Sequence, residues 1–340
     1  MLKLANGLDR NHFDVCIVVL EETGPRRGDV ASHIPVYNLN RPRVRTALLS
    51  LRRILKRLSP AIVVTTMGYL NLSVLIACRF GFSETRFIVR EANDPNATLK
   101  AFRYPGLIRT LYKRLYPRAH AVVCPSQAIL EHLAIEFAIP SDQLHLLRNP
   151  VDVTKIRTMA DEPMPPFGGV TFVASGRLME QKGFDRLLTM FAELPERARL
   201  WILGDGPLLA QLQNQASELK ISDRVEFIGF RENPWKFYAA ADSFLLPSRW
   251  EGMPNAALEA LTCGTPVIAT PESGGISEVA ALAWKGAVQV VAAGEPFTTA
   301  MHAVTQCSEA RPRPSLLPEV FLPPVVEREF TQLLVHDASG

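Results

Sequence analysis

Short β-branched or apolar runs alternate with helical stretches from one end of the chain to the other. Residues 14–20, 34–39, 61–66, 86–91, 119–124 and 143–147 predict six strands in the first half. Residues 170–175, 199–203, 224–230, 243–247, 266–270 and 287–291 predict six more in the second. Most segments between them read as amphipathic helices. Phe184, Leu187, Leu188 and Phe191 fall at i, i+3, i+4 and i+7, the spacing of one buried stripe. Strict alternation of strand and helix implies parallel sheets with helices on both faces. Because 340 residues exceed what one core usually organises, two doubly wound α/β domains are expected.

Residues 161–169 are rich in Pro and Gly and carry no periodicity, so the boundary is placed just after Asn149-Pro150-Val151-Asp152. The expected division is 1–150, 151–324 after a proline-rich connector, and a C-terminal helix and tail over 325–340. Residues 1–8 already read as the tail of a helix running into the first strand. An α/β domain normally opens with a strand and a glycine-bearing turn, so the first domain reads as truncated at its start.

Composition narrows the class. Hydrophobic residues make up 47% and charged ones 21%, which excludes a mainly disordered chain. Cys16, Cys78, Cys124, Cys263 and Cys307 form no CxxC pair or metal-spaced group, and an odd count argues against a secreted disulfide framework. A reducing cytoplasm is the expected setting. No basic segment followed by an apolar core and cleavage site opens the chain. The longest apolar stretch, 61–81, is interrupted by Thr65, Thr66, Gly68, Asn71 and Ser73 and divides into a strand and a helix, so no bilayer span is expected.

Charge is unevenly spread. Residues 1–150 hold 21 Lys and Arg against 11 Asp and Glu, a charge of +10, while 151–340 hold 16 against 23, a charge of −7. The positive residues concentrate in Arg41, Arg43, Arg45, Arg52, Arg53, Lys56 and Arg57, and again in Lys100, Arg103, Arg109, Lys113, Arg114 and Arg118. Such runs suit nucleic acid, an anionic membrane surface or a phosphorylated substrate, and solvated helix faces explain either run alone about as well. Nucleic acid is disfavoured, since aromatic residues are only 8% and the negative half carries the motifs.

Ligands of open parallel sheets bind beyond the carboxyl ends of the strands, which singles out four loops of the second half. In 176–183, Gly176 relieves crowding while Arg177 and Lys182 can converge as a fork and a point charge on a pyrophosphate. Cations near a helix start are unfavourable unless an anion answers them. In 203–207, Gly204 and Gly206 resemble half of a dinucleotide fingerprint without its third glycine, and a tight turn explains them equally. At 228–231, Gly229 could admit a base beside Phe230 or Arg231, or simply end a strand. In 247–266, Gly252, Met253, Pro254 and Asn255 open a helix whose free N–H groups suit a phosphate. Glu251 in that loop and Glu259 in the helix can address different hydroxyls of one ligand. Their alternative is a cap and a solvated surface acid, although Glu259 sits among Ala256, Ala257, Leu258, Ala260 and Leu261.

Taken in order, Gly176 to Gly183, Gly204 to Pro207, Glu251 and Glu259 eight residues apart, Gly264-Thr265-Pro266 and Gly274-Gly275 resemble the donor domain of the retaining glycosyltransferases of family 4, whose fold is GT-B. The resemblance is strong over about 120–280. It implies two Rossmann-like domains facing a cleft, with a UDP- or GDP-linked sugar held mainly by the second and no other cofactor or metal. Arg177 and Lys182 would hold the diphosphate, Glu259 the ribose, Glu251 with the backbone of Gly252 to Asn255 the sugar and distal phosphate, and Phe230 and Arg231 the base. The acceptor would be a glycan or a lipid-linked glycan in bacterial polysaccharide biosynthesis, and the basic first half would place the enzyme at the cytoplasmic face of the membrane. Where family members carry a His after a first-domain strand, this chain reads Arg90-Glu91-Ala92-Asn93-Asp94-Pro95, so Glu91 or Asn93 becomes the candidate contact to acceptor or sugar. The alternatives are a non-catalytic sugar-nucleotide-binding fragment and a sugar-nucleotide epimerase of the same fold.

Overall fold

The computed structural model describes residues 1–22, 27–100, 102–164, 168–307 and 312–336. Its chain divides into two compact units, Met1–Pro150 with the described part of Pro323–Gly340, and Val151–Leu322. Each expected strand has a counterpart, most of them trimmed at the ends where residues leave the ladder. They are β1 (Ile17–Val19), β2 (Val36–Asn38), β3 (Ile62–Thr66), β4 (Arg86–Arg90), β5 (Ala121–Cys124) and β6 (Leu144–Leu146), followed by β7 (Thr171–Ser175), β8 (Arg199–Leu203), β9 (Val225–Gly229), β10 (Ser243–Leu246), β11 (Val267–Ala269) and β12 (Val288–Val290). All recorded pairings are parallel. Both units are Rossmann-like α/β layers.

The second unit is one six-stranded sheet in the order β12-β11-β10-β7-β8-β9. Its chain order reverses between β7 and β10, which makes the carboxyl ends of those two strands the switch point at which such sheets take ligands. Burial on both faces follows the two-residue period of a strand. In β8, Leu200 and Ile202 join a layer with Phe172, Phe184, Leu187, Leu188 and Phe191, while Trp201 and Leu203 join the opposite layer with Phe237, Tyr238, Phe244 and Leu258. The stripe expected from 184 to 191 is the buried face of the helix Phe184–Ala192.

In the first unit, β3 to β6 form one sheet in sequence order, and β1 pairs with β2. One face packs Leu72, Leu75, Phe87, Val89, Tyr112, Tyr116, Leu133 and Phe137. The other face, Ile88, Ala121, Val123 and Leu147, is covered by Leu4 of the helix Leu2–Gly7 and by Val326, Phe330 and Leu334 of the helix Pro323–His336. That is where the C-terminal helix docks. Arg86 Nη2 also donates to the carbonyl of Leu333 at 3.3 Å.

The basic-aromatic run 100–118 serves two environments. Tyr112, Leu115 and Tyr116 are core residues, whereas Tyr104 and Leu107 are 59% and 58% exposed. Residue 101 lies outside the described residues. Among the described residues no helix is long and apolar enough to cross a membrane.

Candidate active site

The loops after β7, β8, β9 and β10 meet at one edge of the second sheet. Gly176 N donates to Leu203 O at 3.0 Å and Gly204 N to Gly229 O at 2.9 Å, so the three strand ends are laced together. Gly204 adopts φ +125°, and a Cβ there would stand 1.9 Å from the carbonyl oxygen of Gly176. Leu178 N continues this close approach by donating to Asp205 O at 2.9 Å. The glycines let one loop lie on its neighbour.

The loop after β10 is stitched to the loop after β7. Arg249 N donates to Gln181 O at 2.7 Å, and Gln181 Nε2 donates to Trp250 O at 3.0 Å. Arg249 also grips Asp185 through both carboxylate oxygens, at 2.7 and 2.6 Å, and holds that carboxyl below its ordinary range. Arg186 sends Nε to Pro247 O at 2.8 Å and Nη2 to Ser248 O at 2.7 Å. Thr270 Oγ1 donates to the same Ser248 carbonyl at 2.8 Å.

This frame presents the central pair. The stem of Lys182 lies against Gly176, and its Nζ meets Glu251 Oε1 at 2.5 Å. Ser248 Oγ donates to that same oxygen at 2.9 Å. Glu251 is 8% exposed, so its charge is held by an ammonium and a hydroxyl rather than by water. Gly252, Met253 and Pro254 are buried behind it, Gly252 O taking the N–H of Gly275 at 2.9 Å. The helix Asn255–Thr262 then opens with Asn255 exposed. Arg177 is exposed at the head of its loop.

Glu259, half-buried, accepts a hydrogen bond from Trp235 Nε1 at 3.0 Å. Beneath it, burial and then the charge of Glu259 push the Cys263 thiol up to about 12, which makes that cysteine a packing residue. Phe230 is 73% exposed after β9, and Arg231 Nη1 turns back to the carbonyl of Phe230 at 3.0 Å.

Of the residues expected from sequence, Gly176, Lys182, Gly204 and Glu251 are in one contact chain, and Gly206, Gly252, Met253, Pro254 and Asn255 continue its loops. Glu91 and Asn93 belong to the first unit. Glu91 is 1% exposed under two tyrosines and Asn93 is exposed. Sequence reasoning missed Asp185, Arg186, Ser248, Arg249, Thr270 and Trp235. Ser248 had a local signal, three residues before Glu251, but Trp235 and Thr270 had none. Among the described residues no group of three or more His, Cys, Asp or Glu could hold a metal ion.

A parallel Rossmann-like sheet whose strand order reverses between β7 and β10, with the loops after those strands tied together at their carboxyl ends, is the architecture of one half of a GT-B fold. Comparison with known proteins places the chain more closely. Residues 165–313 match the model of glycosyl transferases group 1, and residues 1–155 that of glycosyltransferase family 4. The chain has the GT-B fold and is related to those glycosyltransferase families along most of its length. It is 30% identical over 241 residues to an uncharacterized glycosyltransferase of Methanocaldococcus jannaschii, covering 67% of this chain and 59% of that protein. It is 30% identical over 210 residues to the N-acetylgalactosamine-N,N'-diacetylbacillosaminyl-diphospho-undecaprenol 4-alpha-N-acetylgalactosaminyltransferase of Campylobacter jejuni, covering 62% and 57%. The chain thus spans less than two thirds of the length of these relatives. Anabaena HepE in complex with UDP and glucose has the same fold, with a TM-score of 0.78 at 16% identity over 98% of this chain and 94% of that one.

Proposed function

We propose that this chain moves a hexosyl or N-acetylhexosaminyl group from a nucleotide-diphosphate sugar to a glycan or lipid-linked acceptor, with retention and without a metal. The observation that carries the reading is the Lys182–Glu251 pair at 2.5 Å, set at the carboxyl edge of β7 and β10. A diphosphate arriving there shares the ammonium of Lys182, joins the guanidinium of Arg177, and meets the N-terminus of the helix Asn255–Thr262. These groups are in place before charge develops on the leaving diphosphate, the condition under which electrostatic stabilisation is most effective. Glu251, released in part from Lys182, accepts hydroxyls of the transferred sugar. Glu259, oriented by Trp235, accepts the ribose hydroxyls, and exposed Phe230 offers a face to the base. The second unit is read as the donor side and the first as the acceptor side, with Asn93 available at the end of β4.

In the transfer step the bond from the anomeric carbon to the diphosphate oxygen breaks while the bond to the acceptor oxygen forms on the same face. The acceptor's proton leaves with the departing phosphate. UDP is the favoured nucleotide because a solved relative of this fold holds it. An undecaprenyl-diphosphate acceptor is favoured by the name of the Campylobacter relative. Contact with an anionic membrane surface is supported by one stripe of the helix Val44–Leu58, where Arg45, Arg53 and Lys56 are exposed with Leu49, itself 70% exposed. Incubation with UDP- and GDP-sugars in excess EDTA, followed by NMR of the product anomer, tests the reading. Transfer with retention is expected. Inversion, or abolition by EDTA, overturns it.

A further inference from the structure

Glu91 plays no part in the donor chemistry, yet its carboxyl is buried at the carboxyl end of β4. It accepts hydrogen bonds from Tyr116 Oη at 2.5 Å and Tyr112 Oη at 3.1 Å, and the two phenol rings stack with centroids 4.4 Å apart. Taking a carboxylate out of water without an ion-pair partner in contact is costly, and the two phenol hydroxyls offset part of that cost.

What they secure is the turn from β3 into the helix Gly68–Ala77. Tyr112 Oη lies so close that a Cβ on Gly68 would stand 1.8 Å from it and 3.3 Å from Glu91 Oε2. Asn71, fully buried in the first turn of that helix, donates from Nδ2 to the carbonyl of Arg90 at 2.9 Å and to Tyr116 Oη at 3.1 Å. Immediately before this clamp, Met67 adopts φ 76° and ψ 126°, outside the left-handed helical well. A residue with a side chain avoids that conformation unless its surroundings enforce it. Met67 and Tyr69 are each 41% exposed, and the Tyr69 hydroxyl donates to the Met67 sulfur at 3.6 Å. They stand at the carboxyl edge of a parallel sheet, where such sheets take ligands.

We propose that Glu91 is a positioning residue, which through Tyr112, Tyr116 and Gly68 holds the Met67–Tyr69 turn in a strained form that presents a thioether and a phenol ring to a sugar ring of the acceptor. The platform part rests on the reading of the first unit as the acceptor side. The C–H face of a pyranose packs on an aromatic ring, and a turn held rigid avoids the entropic cost of ordering it on binding. The groups facing the Glu91 carboxyl are Arg90 on its own strand, Tyr112, Tyr116 and Cys124 at the end of β5, while the helix Gly68–Ala77 contributes the neutral Gly68 and Asn71. Burial lifts the carboxyl to about 7 against the two tyrosine hydrogen bonds and the charge of Arg90. Below neutrality it gains a proton, its hold on both phenols weakens, and the turn relaxes.

The test uses the full chain with 13C-methyl methionine, the Met67 resonance being assigned through Met67→Leu. In the wild type that resonance moves with pH about a midpoint near 7. In Glu91→Gln it is displaced and no longer titrates. In Tyr116→Phe, which keeps the ring and removes only the hydroxyl, it is also displaced. Titration with p-nitrophenyl N-acetyl-β-glucosaminide shifts the wild-type resonance, and Glu91→Gln raises the apparent Kd about tenfold while UDP affinity by calorimetry is unchanged. A Met67 resonance unmoved in both Glu91→Gln and Tyr116→Phe overturns the positioning role. A displaced resonance with no response to the glycoside in the wild type overturns the platform and, with it, the acceptor-side reading, leaving the clamp. Loss of UDP affinity in Glu91→Gln overturns the proposal by making the effect global.

Discussion

In the second unit six parallel strands form one hydrogen-bonded sheet, whereas in the first β1 and β2 pair with each other and β3 to β6 among themselves. Each unit buries a glutamate at the carboxyl edge of its main sheet, and the two are partnered in opposite ways. Glu251 meets an ammonium and a hydroxyl within loops that Arg186 and Arg249 tie down. Glu91 meets two phenols, and burial lifts it to about 7. Similar burial therefore has different consequences. On one side a cation partner gives an ion pair, while on the other two phenols leave a carboxyl that burial lifts toward neutrality.

The strongest way to break this comparison is Lys182→Ala. It strands Glu251 without its cation and removes one of the two side-chain cations proposed for the diphosphate, so transfer should fall by about a hundred- to thousandfold in kcat. Steady-state transfer assays check this, and a variant within threefold of wild type would show that the pair is only structural.

A smaller effect sharpens the contrast in how the sheets are laced. Gly204→Ala places a methyl against the carbonyl of Gly176 and should destabilise the second unit by about 3 kcal/mol, read as a lower midpoint in urea. Trp235→Phe keeps an aromatic side chain but removes the indole N–H that donates to Glu259, together with part of the indole's volume. Donor affinity by calorimetry should weaken about tenfold, the size of a hydrogen bond to a charged acceptor.

A further effect concerns pH. Between its ordinary 4.5 and about 7, Glu91 binds a proton in the folded chain that the unfolded chain has released. Stability from this group therefore falls as pH rises through that window, by up to about 1 kcal/mol per pH unit, and levels off above 7. Comparing urea midpoints of wild type and Glu91→Gln across that window isolates the slope. Equal slopes would mean that Glu91 is not lifted.

Much of the fold was legible because strand and helix periods are local. All twelve strands, the buried stripe from Phe184 to Phe191 and the parallel class follow from spacings within about ten residues. The candidate site was legible where glycine, cation and acid fall at family-like intervals, as in Gly176 to Lys182 and Glu251 to Glu259. The local pattern could not show what Gly204 packs against, because its neighbour is the backbone of Gly176, twenty-eight positions earlier.

By itself, then, the amino-acid sequence determined which stretches are strands, that the sheets are parallel, and which loops carry charge. Only the tertiary structure decided that Lys182 meets Glu251, 69 residues away, that Trp235 orients Glu259, and that the Glu91 carboxyl is turned under Tyr112 and Tyr116. The reason is physical. Periodicity reports how a segment buries its own face, whereas the partner of a buried charge is chosen by which distant elements pack against it, and the low dielectric there makes that choice decide what the group can do.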